Sequence, residues 1–280
     1  MVKKNLKSIV EEILQEPVTQ EITGSGIIET LSGKSFFIKT GEVSRTYQCE
    51  ANGLNELAKA KAIRIANVIH ADKNFILTGF IRKGYVPSDF FESFGKKFAR
   101  MHRYQSMYFG FFEDNFIGAT PQLNIPEKEE KTNWTAFYFN KRLLFQFKLA
   151  EKNRLASPTL RNGFLKLESK IEFILKDGKE PPCLLHGDLW SGNYLCDNNG
   201  DPVLIDPAVY YGHREADLAM TRLFGGFSTS FYQGYMDEYP LQEDWEYRED
   251  IYKLYHVLNH LNIFGPGYLS EAEYLLKKYV

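Results

Sequence analysis

Leu184-Leu-His-Gly-Asp-Leu-Trp-Ser-Gly-Asn193 is the stretch from which the architecture can be read. Two apolar residues lead into a polar turn, and Asp188 and Asn193 stand five positions apart. Downstream, Pro202-Val-Leu-Ile205 reads as a short buried strand that delivers Asp206, 18 positions after Asp188. Taken alone, an Asp and an Asn in a turn are ordinary loop residues, and the segment equally describes a β-turn before an apolar strand. The other readings follow from what lies around it.

Phosphoryl transfer from a triphosphate needs a small set of parts. A carboxylate must orient the acceptor hydroxyl and take its proton, and hard oxygen ligands must hold a divalent cation against the phosphates. The interval from Asp188 to Asn193 matches the kinase catalytic-loop pattern H-R-D-L-x-x-x-N, and a strand-terminal Asp206 suits the second metal carboxylate. Upstream, Lys39 closes the apolar run Phe36-Phe-Ile38, and Glu50 follows 11 residues later at the start of a candidate helix. A kinase pairs a strand lysine with a helix glutamate to place phosphates; a surface lysine and a first-turn glutamate give the same letters. Gly24-Ser-Gly26 is either a short phosphate-facing glycine turn or a plain hairpin turn. Asp217, in Arg214-Glu-Ala-Asp-Leu-Ala219, is either a helix-start carboxylate or a buried acceptor for backbone N–H groups of the catalytic loop.

Element patterns divide the chain. Residues 3–15 suggest a helix, 21–31 and 34–40 two strands about the turn Leu31-Ser-Gly-Lys34, 48–62 a helix, and 67–71 and 74–82 two more strands. After Gly84 the pattern turns helical, with candidates at 89–104, 133–152, 159–176, 216–223, 228–237, 245–264 and 270–279. The expectation is an α+β, bilobal chain. Residues 1–84 form a small antiparallel-sheet N-lobe with one main helix, and residues 85–280 a larger, mostly helical C-lobe.

Bulk properties exclude other classes. The 280 residues carry a formal net charge of −2 with no basic stripe, which argues against a nucleic-acid partner. Three cysteines without a Cys-x-x-Cys pair read as free thiols of a reducing compartment. No apolar run reaches the length of a membrane span, and the charged amphipathic start does not read as a signal peptide, so no membrane partner and a cytoplasmic location are expected. His256 and His260 share a helix face four residues apart, but no Glu follows the first as a zinc protease motif requires, so a packed helix is the expectation. A hydrolase reading of Asp188 and Asp206 leaves Asn193, Lys39 and Glu50 without roles.

The strings Leu185-His-Gly-Asp-Leu-Trp-Ser-Gly-Asn193, Pro202-Val-Leu-Ile-Asp-Pro-Ala-Val-Tyr-Tyr-Gly212, Arg214-Glu-Ala-Asp-Leu-Ala-Met220, Asn115-Phe-Ile-Gly-Ala-Thr-Pro-Gln122 and Leu254-Tyr-His-Val-Leu-Asn-His-Leu-Asn262 carry a specific likeness. From about residue 20 onward the chain resembles the fructosamine-3-kinase, or ketosamine-3-kinase, family within the aminoglycoside phosphotransferase and choline kinase group of protein-kinase-like folds. The resemblance implies ATP and Mg2+ as cofactors and phosphorylation of the 3-hydroxyl of ketosamines, which are sugar adducts on amines including protein lysines, in support of deglycation. It implies Asp188 as base, Asn193 and Asp206 as metal ligands, and Lys39 with Glu50 in phosphate placement. It also implies nucleotide contacts at Gly24, Gly26 and hinge residue Phe80, a support role for Asp217, and Trp190 as either a face for the sugar or a core residue. The chain departs from the family pattern in its short glycine turn, in Gly79 of the hinge Leu77-Thr-Gly-Phe80, and in His213 after Tyr-Tyr-Gly. Two alternatives remain at this level: a kinase for another small hydroxyl compound such as an amino sugar or aminoglycoside, and a kinase-like nucleotide-binding module with little turnover.

Overall fold

The computed structural model describes residues 5–41, 45–176 and 180–280. In chain order it contains α1 (Leu6–Leu14), β1 (Gly26–Glu29), β2 (Ser35–Thr40), α2 (Thr46–Lys59), β3 (Arg64–Ile65), β4 (Val68–Ala71) and β5 (Phe75–Gly79). Next come α3 (Phe90–Met101), β6 (Asn115–Ile117), β7 (Thr120–Gln122), α4 (Trp134–Tyr138), a π-helical segment (Phe139–Leu144), α5 (Phe145–Lys152) and α6 (Pro158–Leu175). The remainder is β8 (Cys183–Leu185), β9 (Tyr194–Cys196), β10 (Pro202–Leu204), β11 (Tyr210–Gly212), α7 (Glu215–Thr221), α8 (Thr229–Glu238), α9 (Trp245–Phe264) and α10 (Leu269–Lys277).

The first sheet is antiparallel with strand order β1-β2-β5-β4. Alternation along β5 sorts its side chains. Phe75 and Leu77 join Val10, Ile28 and Ile38 in the layer under α1, while Ile76 joins Tyr47, Ala51 and Leu54 under α2. The helix α1 is capped by Asn5, whose Oδ1 accepts from Ser8 N at 2.8 Å, and it is tied to the β1–β2 turn by Glu16, whose Oε1 accepts from Ser32 N at 2.8 Å. The strands expected over 21–31 and 74–82 are shorter than the sequence suggests, because only 26–29 and 75–79 find ladder partners.

Helix α2 is fastened to the elements after residue 110. Asn52 Nδ2 donates to Glu113 Oε1 at 2.7 Å, Arg45 pairs with Glu113 at 2.8 Å, and the Tyr211 hydroxyl donates to Glu56 at 2.8 Å. Strand β3 pairs in parallel with β10, placing residues before and after the hinge in one three-stranded sheet, β3-β10-β9.

The helical part is built around one large apolar cluster to which α3, α6, α8 and α9 contribute Phe94, Phe98, Phe164, Phe231, Tyr252 and Leu258. α3 and α8 approach closely because Gly95 has no side chain: a Cβ there would lie 2.0 Å from Phe231 O. The single helix expected over 133–152 is interrupted by the π-helical segment. It holds Arg142, which is fully buried, donates to Leu123 O and to Asn124 Oδ1 (2.7 Å), and lies 4.0 Å over the Tyr210 ring. No helix among the described residues is long and apolar enough to cross a membrane.

Candidate active site

The loop that joins β8 to β9 is held open from both sides. Strand β8 pairs with β11, Leu185 facing Tyr210, and β9 pairs with β10. Between them Gly187 adopts φ +83°, and a Cβ at that position would meet Ala208 O at 2.0 Å, so glycine is required on two counts. His186 is fully buried and stitches the segment together. Its Nε2 donates to Ile205 O at 3.0 Å, so its Nδ1 is the acceptor for Asp188 N at 3.3 Å. Burial holds this imidazole below its ordinary pKa, which keeps it neutral and in that tautomer.

Asp217 lies beneath the loop. Its Oδ2 accepts from His186 N and its Oδ1 from Gly187 N, each at 2.7 Å, and His102 Nε2 donates to it at 3.1 Å. Since a carboxylate accepts only, His102 Nδ1 is the acceptor for the Tyr235 hydroxyl at 2.6 Å. Burial alone would raise the Asp217 pKa, but the bonds from His102 and the loop N–H groups hold it below the usual carboxylate value. The neighbouring residues of the same string are also used. Arg214 forms a buried pair with Glu180 at 2.7 Å and Arg248 one with Glu215 at 2.7 Å. His213 stacks on Trp134 at 4.6 Å between ring centroids. Burial pushes its pKa down to about 3, so the residue that departs from the family pattern is a neutral packing group.

Asp188, Asn193 and Asp206 are brought together. Asn193 Nδ2 donates to Asp188 O (2.7 Å), Asp188 Oδ2 (3.3 Å) and Asp206 O (3.4 Å). That leaves the amide oxygen as the group it can offer a cation. Asp206 has φ +54°, a left-handed conformation uncommon outside glycine and of the kind concentrated at functional sites. Its Oδ1 takes the Lys39 ammonium, and Lys39 also bonds Glu50 Oε1 at 2.7 Å. Burial alone would lower the Lys39 pKa, but Glu50 and Asp206 outweigh it and hold the ammonium above its ordinary value. For Asp188, burial dominates and pushes the carboxyl up to about 8, opposed by its bond to Asn193 and reinforced by Asp217 and Asp206.

Three cavities meet at these residues. An apolar one of about 560 Å3 lies between β2, β5 and α2, lined by Ile27, Phe37, Leu54, Thr78, Phe80 and Ile81, among others, with Lys39, Glu50 and Asp206 at one end. A polar one of about 230 Å3 is lined by Lys39, Glu50, Asp206, Asp188, Asn193 and Trp190, among others. A third, of about 360 Å3, contains Asp188 and Trp190 with Phe224, Asn259, His260 and Tyr268. The first suits a planar base, the second a phosphate chain and the third an acceptor.

The remaining expected residues fall as follows. Trp190 is 41% exposed and walls both the second and third cavities, so it is not a core residue. Gly24 and Gly26 lie in and at the end of the turn into β1, where Ser25 Oγ accepts from Thr40 N at 2.9 Å; neither lines the 560 Å3 cavity, whose cover at that end is Ile27. Phe80 lines the cavity, but its N–H donates to Ser35 O at 3.3 Å and that of Gly79 to Asn67 O at 2.8 Å, so neither hinge N–H is free for a ligand. For a divalent cation, no cluster of three or more His, Cys, Asp or Glu exists among the described residues. One carboxylate and one amide oxygen bordering a phosphate-sized cavity still fit Mg2+, which keeps water and substrate oxygens in its shell. Sequence reasoning missed the third cavity's other lining, above all His260, Phe224 and Tyr268. The signals present were the i, i+4 histidine spacing, which was read as packing, and the family-like strings Phe224-Gly-Gly-Phe227 and Leu254–Asn262, which named no role.

The chain matches the family model described as fructosamine kinase over residues 2–280. It is 38% identical to the protein-ribulosamine 3-kinase, chloroplastic, of Arabidopsis thaliana, with 97% of this chain and 87% of that protein covered. With the rice (Oryza sativa subsp. japonica) protein of the same name it shares 37% identity, covering 88% of this chain and 72% of that one. A crystal structure from Thermobifida fusca, assigned as a fructosamine-3-kinase, superposes with a TM-score of 0.86 at 26% identity, covering 98% of each chain. The streptomycin–ATP–APH(2'')-IIa complex superposes with a TM-score of 0.60 at 14% identity over 99% of this chain and 97% of that one, a likeness of fold. The fold is therefore the bilobal α+β fold expected from the element patterns, of the protein-kinase-like type that the family resemblance implied. With a model match along nearly its whole length and relatives of this identity, the chain belongs to the fructosamine kinase family.

Proposed function

We propose that the protein is an ATP- and Mg2+-dependent kinase that phosphorylates the 3-hydroxyl of ketosamines, supporting their removal from amines. The observation that carries the reading is that Asp188 and Trp190 border both the phosphate-sized cavity and the acceptor cavity, while Lys39, Glu50 and Asp206 border both the phosphate-sized cavity and the apolar one. A base, a phosphate chain and a sugar hydroxyl can thus lie in one line past these side chains. The family names and the ribulosamine kinases among the relatives point to the ketosamine class.

In this reading residues 1–84 place the nucleotide and residues 85–280 carry the acceptor site. The base lies among Ile27, Phe37, Thr78, Phe80 and Ile81. Lys39, steadied by Glu50, takes phosphate oxygens. Asp206 and Asn193 hold Mg2+, which supplies charge neutralisation of the phosphates. Gly24 and Gly26 shape the turn that lowers Ile27 over the cavity. Asp188 in its ionised form, a stronger base for its raised pKa of about 8, orients the acceptor hydroxyl and accepts its proton, and Asp217 keeps the backbone at His186 and Gly187 in register for it. Trp190 offers a ring face to the sugar. Three free, buried cysteines fit work in the reducing cytoplasm.

The test is ADP release across a panel of ribulosamines, fructosamines, free amino sugars and aminoglycosides. Turnover with ketosamines above the other classes is expected. Faster turnover of amino sugars or aminoglycosides would move the substrate class, and ATP binding without turnover on any acceptor would leave a nucleotide-binding module.

A further inference from the structure

We propose that His260 selects the acceptor by its amine, Nε2 accepting a hydrogen bond from the protonated nitrogen that joins the sugar to its carrier. The inference rests on the ketosamine reading above and adds a specificity-determining residue to it. His260 lies on α9, half-buried, in the cavity that also contains Asp188 and Trp190. Its Nδ1 lies 2.7 Å from His256 O. A carbonyl oxygen accepts only, so Nδ1 carries the proton and Nε2 is left with its lone pair. No protein donor reaches Nε2 among the described residues. The ring is fixed in direction by Phe224, Tyr268 and Phe264, with centroids at 4.8, 5.2 and 5.4 Å. Burial disfavours the charged imidazolium, so the acceptor persists at neutral pH.

The cavity therefore presents a fixed, neutral acceptor inside a ring of aromatic faces: Trp190, Phe224, Phe264 and Tyr268. Hydroxyl groups of a sugar need both donors and acceptors around them. A protonated secondary amine needs acceptors and π-faces only, and a cationic donor makes the stronger hydrogen bond. Apart from Asp188, which faces the reacting hydroxyl in this reading, the cavity lining holds no carboxylate to pair with that cation. Of the other polar groups there, Asn259 Oδ1 already accepts from Gln146 Nε2 at 3.1 Å and the Tyr268 hydroxyl serves as donor or acceptor alike, so His260 Nε2 is the group that can only accept.

The experiment compares an N-alkyl ketosamine with the ether in which oxygen replaces the amine nitrogen, using wild type, His260→Leu and His260→Gln. The inference expects wild type to favour the amine, and His260→Leu to lose about 10- to 100-fold in kcat/KM on the amine, mainly through KM. Activity on the ether stays within about threefold, the nucleotide KM is unchanged, and His260→Gln, whose amide oxygen is again an acceptor, recovers part of the preference. Thermal melting of both variants checks the fold. Equal losses on amine and ether, or no loss on either, overturns the inference while leaving the ketosamine reading intact. A wild type that phosphorylates neither compound overturns both.

Discussion

Replacing Asp217 by Asn removes a charge without changing shape, and its cost can be worked from the three bonds that Asp217 accepts. In the native loop two backbone N–H groups, of His186 and Gly187, and one imidazole N–H end on its two oxygens. Asn keeps one oxygen and turns an NH2 group toward a donor that then has no acceptor. A hydrogen bond to a charged group contributes about 1.5–3 kcal/mol, and a buried donor left unpaired costs about 1–3 kcal/mol. Relief from burying a charge offsets part of that, leaving a net destabilisation of about 2–4 kcal/mol. In a chain of this size this lowers Tm on the order of 5–10 °C. The catalytic effect is separate. Asp188 is one residue beyond Gly187, and a shift of about 1 Å in the loop costs roughly 100-fold in kcat. Calorimetry and steady-state kinetics at a temperature where both proteins are folded measure the two effects. An Asp217→Asn protein with wild-type melting and wild-type kcat would refute the assignment of Asp217 as the loop's anchor.

Two further outcomes follow from buried groups. Glu215→Ala strands Arg248, which is 1% exposed and bonds Glu215 through Nε and Nη2, so it should destabilise by about 3–5 kcal/mol in chemical denaturation, whereas a pair worth nothing would leave the midpoint in place. Acid should weaken the fold through His213 and His256, which burial holds neutral with pKa values of about 3 in each case. The unfolded chain takes up protons on these side chains near pH ~6.5, so their contribution is full above that pH and is lost progressively as pH falls toward 3. The slope of stability against pH in that window should flatten in His256→Gln, and an unchanged slope would remove His256 as a cause.

What could be read from the sequence depended on how local each feature is. The catalytic segment was legible because its parts lie within Leu184–Asp206, framed by two short antiparallel ladders, β8–β11 and β9–β10. The Lys39 and Glu50 pair was legible because a strand followed by a helix can bring positions 11 apart in sequence together. The π-helical segment at 139–144 was not, since periodicity over 133–152 is nearly the same with or without it, and the contact its Arg142 makes, to Leu123 O, is distant in sequence. The hairpin β6–β7 is too short for a strand pattern to show, although it reaches the site through Phe116 and Gly118. The acceptor cavity was invisible because its parts are distant in sequence. Phe224 and His260 are 36 residues apart and meet only because α7 and α9 pack together, so His260 looked like one more packed helix residue.

The most direct test of the central claim is single-turnover transfer from MgATP to a ketosamine by wild type and by Asp188→Asn, with the phosphate located by mass spectrometry and 31P NMR and nucleotide binding measured on the same samples. The account expects wild type to place the phosphate on O3, and Asp188→Asn to bind nucleotide as wild type does while transfer falls by about 1,000-fold or more. Transfer at the wild-type rate by Asp188→Asn, or a phosphate on any other hydroxyl, would contradict it.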